Sequence, residues 1–212
     1  MTLRLDAPSA PNLPLGQIEY TRQYQDGLNN VLRLYFNRID APLQSLFGAQ
    51  GGRFLNFPYA AIQRTTDATF TANTATQVTF DQEDYLNAVT LEPADGLHVT
   101  YDGIYNYQFS VQLRNSDTQI HSAWIWLRKN GVDIPGTGSK FDVPNKHGGI
   151  DGFTIAAVNF YVDLLSEDYV EMWAAVDDVN VTFDAAPAQT VPFAMPAIPS
   201  VVATLSFVSS IP

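Results

Sequence analysis

The sequence predicts an all-β fold, a jelly-roll sandwich preceded by an N-terminal extended arm and one amphipathic helix. Two patterns predict it. From residue 65 onward, apolar and polar residues alternate with threonine, valine, tyrosine and phenylalanine dominating, the signature of strands with one buried face. Only one stretch, Glu19 to Asp40, has its apolar residues spaced by three or four, as a helix requires.

The arm is residues 1 to 16, where Pro8, Pro11 and Pro14 prevent full pairing into a sheet. In the helix, Tyr20, Tyr24, Leu28, Leu32, Tyr35 and Ile39 form one stripe, and polar residues such as Arg22, Asp26, Asn29 and Arg33 cover much of the rest. Gly27 costs about 1 kcal/mol relative to alanine, so the stripe needs a packing partner to hold it. That partner could be the chain's own β domain, two further copies in a short bundle, or a groove of another protein. Asp40 followed by Ala41 and Pro42 predicts a break and a short second helix to Phe47. Gly48 to Gly52 then reads as a flexible joint, and the aromatic run Arg53 to Tyr59 as a docking segment.

Predicted strands run over 68–80, 85–91, 98–101, 105–113, 120–128, 153–162, 169–176, 180–183 and 201–208. Turn pairs bound them: Asp95-Gly96, Asp102-Gly103, Asn130-Gly131, Gly148-Gly149 and Asp177-Asp178. The proline-rich stretch 185–199 predicts a long connection.

Charge divides the chain at the same place as periodicity. Residues 1–64 carry a net +2 and residues 65–212 a net −13, which predicts two segments with different surroundings; the resemblance described below implies that the first anchors the chain and the second is displayed. The overall −11 argues against nucleic acid, whose phosphates need lysine and arginine. Charged residues are 16% against the roughly 25% usual for soluble domains, so part of the surface is expected to meet a partner. No apolar run reaches the about 20 residues of a membrane span, and none in the first residues suits a signal peptide. With no cysteine, this predicts synthesis and assembly in a reducing cytoplasm.

The inventory for catalysis is poor. His98, His121 and His147 lie far apart in sequence, and no GxSxG or HExxH occurs. Gly136 to Lys140 lacks P-loop spacing. Asp81, Glu83, Asp84, Asp177 and Asp178 offer carboxylates without the repeated spacing of a calcium loop, and read as solvated turns. A hydrolase would need a carboxylate pair in a cleft, which sequence alone does not establish. No enzyme activity, metal or cofactor is expected.

Four motifs in order resemble the head domain of the complement and tumour necrosis factor families, a trimeric jelly roll. They are Gly103-Ile104-Tyr105-Asn106-Tyr107-Gln108-Phe109, the apolar strand from Ala123 to Leu127 ending in Lys129-Asn130-Gly131, Leu164 to Glu171, and Pro199 to Phe207. Ser166-Glu167 departs from the family's usual glycine before the aspartate. Tyr105, Tyr107 and Phe109 share one strand face and could fill the core of one sandwich. The resemblance implies instead that Tyr105, Tyr107, Phe109 and Phe207 lie near a three-fold contact.

Together with the arm and helix, the chain is similar to virion structural proteins of tailed bacteriophages. This implies a non-enzymatic, homotrimeric capsid decoration protein, of the cement or head-spike kind, on a particle assembled in the bacterial cytoplasm. Its partner would be the major capsid protein or another virion component. Tyr20, Arg22, Tyr24, Leu28, Leu32, Arg33, Tyr35 and Arg38 would bind the particle. The alternative is a tail-fibre or receptor-binding tip that recognises the host surface, for which a glycan is a possible ligand. The loops 136–152 and around Asp177 are mainly glycine, lysine and aspartate, with little to stack on a sugar.

Overall fold

One helix followed by thirteen strands makes up the computed structural model, which describes residues 11–13, 15, 18, 19, 21–47, 57–92 and 96–211. The chain divides into two compact units, Met1–Asn56 and Phe57–Pro212. The division falls before the 64/65 boundary predicted from charge. Tyr59–Arg64 is a strand of the sandwich, hydrogen-bonded on both sides, and its Ala60 and Ile62 are buried.

In the N-terminal unit, α1 spans Arg22–Phe47. Thr21 caps it, its hydroxyl accepting from the Tyr24 amide at 3.4 Å. The helix runs through Pro42, where the sequence predicted a break. Proline removes only its own bond to the carbonyl four residues back, and the turns on either side persist. No described residue of this unit is buried; Tyr24, Leu28, Leu32, Tyr35 and Ile39 are half-covered.

The second unit is a sandwich of two antiparallel sheets. Its strands are β1 (Tyr59–Arg64), β2 (Thr76–Gln77), β3 (Gln82–Asn87), β4 (Val89–Glu92), β5 (Gly96–Val99), β6 (Gly103–Asn115) and β7 (His121–Lys129). They continue with β8 (Val132–Asp133), β9 (Ser139–Val143), β10 (Gly152–Leu164), β11 (Tyr169–Val176), β12 (Val181–Phe183) and β13 (Val201–Ser209). One sheet has the order β10-β6-β13-β1-β3, with β12 also on β6. The other runs β4-β5-β11-β7-β8, with β9 on β7 and β2 on β11. The chain passes repeatedly from one sheet to the other, among the long strands between β5 and β6, β6 and β7, and β10 and β11. Each long strand therefore lies beside one distant in sequence, which is jelly-roll connectivity.

Alternation decides the core. From β6, Tyr105, Tyr107, Phe109, Val111 and Leu113 point inward against Ile125, Leu127, Val170, Met172, Ala174 and Val176 of the other sheet. Each such side chain stabilises the fold by about 1.5–3 kcal/mol relative to exposure. Most predicted strands match to within a few residues. The exceptions are 68–80, which is largely irregular with only β2 and a single bridge at Ala68, and 85–91, which splits where Ala88 adopts a positive φ. Phe70 and Val78 reach the core from that irregular segment, so they mimic strand alternation. The proline-rich connection 185–199 folds back on itself through bridges Ala186–Ile198 and Gln189–Met195.

Candidate functional site

The two outer faces of the sandwich have different chemistry. On the sheet centred on β6, the outward residues are neutral across the middle. Ser110 lies opposite Ala157 of β10 and Val202 of β13, and Gln108 lies opposite Asn159 and Thr204. These residues line an open depression of about 500 Å³. Large rings and aliphatic chains rim it: Tyr161 and Tyr85 are 66% and 69% exposed, and Phe153, Ile155 and Tyr59 are exposed as well. The charged residues Arg114 and Asp163 sit at opposite ends, near Phe153 and Tyr161. Arg114 is held by Asp184 at 2.9 Å and Asp151 at 2.8 Å, and these bonds raise its pKa. In a chain of net charge −11, this is a surface on which like-charged copies can meet without opposing carboxylates.

On the opposite sheet, β7 and β11 gather all three tryptophans of the chain. Trp126 lies directly across from Trp173, and Trp124 across from Ala175. A two-residue turn, Asn130-Gly131, with φ of 52° and 78°, folds β8 back on β7 and places Asp133 opposite Arg128. The Asp133 Oδ1 accepts from Trp126 Nε1 at 2.7 Å and from Arg128 Nε at 2.6 Å. The Arg128 bond first, then the Trp126 bond, holds the Asp133 carboxyl below its usual range. The Arg128 guanidinium carbon lies 3.7 Å above the Trp173 ring. The Trp173 indole donates to Glu171 Oε1 at 3.3 Å; Glu171 is only 6% exposed, and its Oε2 has no partner among the described residues. Beside these rings a shallow depression of about 440 Å³ is lined by Trp124, Trp126, Asp133, Ile134, Gly138 and Ala175.

A third grouping surrounds His121 at the start of β7. Its Nε2 lies 2.8 Å from Asp117 and 3.9 Å from Asp178, and its Nδ1 lies 3.5 Å from Asp177. The hydrogen bond to Asp117, with the nearby Asp178 and Asp177 charges, outweighs burial and raises the imidazole pKa. Ligand atoms of Asp117, His121 and Asp178 lie within 4.8 Å of one another, a spacing a metal could span. With the imidazole protonated, the same residues form an ion-pair cluster that ties two loops together. His98 instead stacks on Tyr169, ring centroids 4.9 Å apart, and His147 bridges to Ile150 through its backbone.

The expected three-fold contact residues lie inside a single chain's sandwich. Tyr105 and Tyr107 are 0% and 1% exposed within a single chain, and Phe109 is buried too. The Tyr105 hydroxyl donates to the Tyr101 carbonyl at 2.7 Å, and burial, then Asp102, pushes its pKa up to about 12. Phe207 packs on the same core, edge-on to Tyr105 at 5.6 Å and stacked with Phe57 at 6.1 Å. The inner face of β6 is therefore taken up by its own sandwich. The outward residues of the same strand, Gln108 and Ser110, are set apart by alternation, but as polar residues they carry no hydrophobic signal of a contact.

In the helix, Tyr24, Leu28, Leu32 and Tyr35 do share one face, whereas Tyr20 lies outside the described residues. Arg22 and Arg33 fall a little over a third of a turn away from that face, at about 100° per residue. Arg22 pairs with Asp26 at 3.7 Å, and Arg33 donates to Asn30 at 2.9 Å. Arg38 flanks the stripe, lining a small depression with Pro11, Val31, Leu34 and Tyr35.

No protein-family model matches the chain, and no curated protein matches it. Among solved structures it is similar to Eiger, a TNF from S. frugiperda, with a TM-score of 0.47 and 14% identity over 74% of this chain and 96% of that one. The jelly-roll description rests on the strand order and register above.

Proposed function

We propose that this protein is a non-enzymatic structural component of a tailed-phage virion, a capsid decoration protein that assembles as a homotrimer. The observation that carries the trimer is the neutral, aromatic-rimmed outer face of the β6 sheet. Burying it would remove Tyr161, Tyr85, Ile155 and Phe153 from water, with only neutral residues at its middle. In this reading the face takes the role that the sequence assigned to the inward aromatics.

The N-terminal unit is the anchor. A lone helix is marginal in water, and α1 has no buried residue among those described, which suits a segment completed by docking on the particle. Three such anchors on one trimer raise the effective concentration of the second and third contacts. A receptor-binding tip is the second reading, and the tryptophan face of the other sheet favours it.

Sedimentation tests the first step: the full chain at micromolar concentration is expected to run as a trimer, and a lone monomer overturns the proposal. Removing residues 1–56, the whole N-terminal unit, is expected to leave a folded trimer that no longer co-sediments with capsids. The cut preserves Phe57, which stacks on Phe207, and Pro58, whose carbonyl accepts from the Phe207 amide.

A further inference from the structure

We infer that the tryptophan face of the β7–β11 sheet is a binding site for a neutral pyranose, the kind of ring displayed by surface polysaccharides. The inference gives a ligand class to the second reading above and does not depend on where on a particle the protein sits.

A sugar ring presents an apolar face of C–H groups and an equator of hydroxyls. Its binder needs a flat aromatic surface next to fixed hydrogen-bonding groups. Trp124 and Trp126 line the depression, with Trp124 36% exposed, so an aromatic surface is open to solvent. Asp133 stands at its edge, 63% exposed, held by Trp126 and Arg128 through one oxygen. The depression of about 440 Å³ is within the roughly 300–1,000 Å³ of small-ligand sites.

Two of the three rings are held in place before any ligand arrives. Trp126 is tied to Asp133, and Trp173 is clamped between the Glu171 carboxylate and the Arg128 guanidinium. Pre-set side chains spare the ordering cost of binding. Glu171 Oε2, a buried acceptor on the same face, has no donor among the described residues.

Charge selects the class of sugar. Arg128 is paired with Asp133 at 2.6 Å, and Lys140, 5.8 Å from the Trp124 ring centroid, is paired with Asp142 at 3.1 Å. No uncompensated cation lines the depression to attract a carboxylate or sulfate, whereas hydroxyls can bond to the Asp133 carboxylate.

Intrinsic fluorescence is the natural readout, because all three tryptophans sit on this face. The full chain is titrated with maltose, cellobiose, lactose and N,N′-diacetylchitobiose, and applied to a printed array of neutral glycans. The expected result is a saturable emission change with at least one of them. Trp124→Ala should weaken it at least tenfold, Trp124→Phe less, and Asp133→Asn measurably, with each variant's melting midpoint recorded as a check on folding. Three results overturn the inference: no glycan bound, binding that survives Trp124→Ala in a folded protein, or emission that changes on dilution without sugar, which would mean that another copy covers the face. Sedimentation of the same samples keeps the two proposals apart, since a monomer that binds sugar refutes only the trimer, and a trimer that binds none refutes only this site.

Discussion

Ser110→Glu is the sharpest test of the assembly proposal. Ser110 lies at the middle of the outer face, with Ala157 and Val202 directly opposite on the two neighbouring strands. In an isolated protomer a glutamate there reaches into water, and the cost is that of a surface substitution in a strand, within about 1 kcal/mol. In a trimer closed around this face, three carboxylates converge. At separations of about 8 Å and an effective dielectric constant of about 20, each pair repels by about 2 kcal/mol, or about 6 kcal/mol for three pairs. Desolvation adds several kcal/mol per carboxylate. At about 1.4 kcal/mol per factor of ten, association weakens by at least four orders of magnitude. Sedimentation velocity should show a monomer, while circular dichroism shows an unchanged sandwich. A variant that remains trimeric removes this face from the contact; one that unfolds shows that Ser110 is needed within the protomer.

The converse substitution is Tyr107→Ala, from the inner side of the same strand. Its loss should cost about 3–5 kcal/mol, lowering the melting midpoint by about 6–20 °C at about 2–4 °C per kcal/mol for a domain of this size. A melt unchanged by Tyr107→Ala would contradict the burial. Because His121 has its pKa raised by Asp117 and its neighbours, its charged form favours the fold. That stabilisation is complete below the ordinary histidine value of about 6.5 and is lost as pH rises through the elevated folded value. His121→Asn should therefore lower the melting midpoint at pH 5.5 more than at pH 8.5, and equal losses at both would break the link.

Both proposals turn on sides of strands, and here sequence and structure divide the information. In β6, alternation separates Tyr105, Tyr107 and Phe109 from Asn106, Gln108 and Ser110, and β11 is bounded at Tyr169 and Val176 as predicted. The weaker strands β1, β8 and β9 carry little signal in the sequence. Ala60 and Ile62 supply only two buried side chains to β1, and β9 follows a glycine-rich loop and carries Lys140 and Asp142 facing outward. The tryptophan face was split in the sequence between Trp124 and Trp126 on one strand and Trp173 on another. Only the β7–β11 register brings them together, and only the Asn130-Gly131 turn adds Asp133.

By itself the sequence determined what depends on local order: where most strands and the helix run, which residues share a face, and that the chain is acidic and free of cysteine. Tertiary structure decided which face of each strand is spent on the core. A period of two sorts side chains into two sets but is symmetric between inside and outside, and the symmetry is broken only when a second sheet covers one of them.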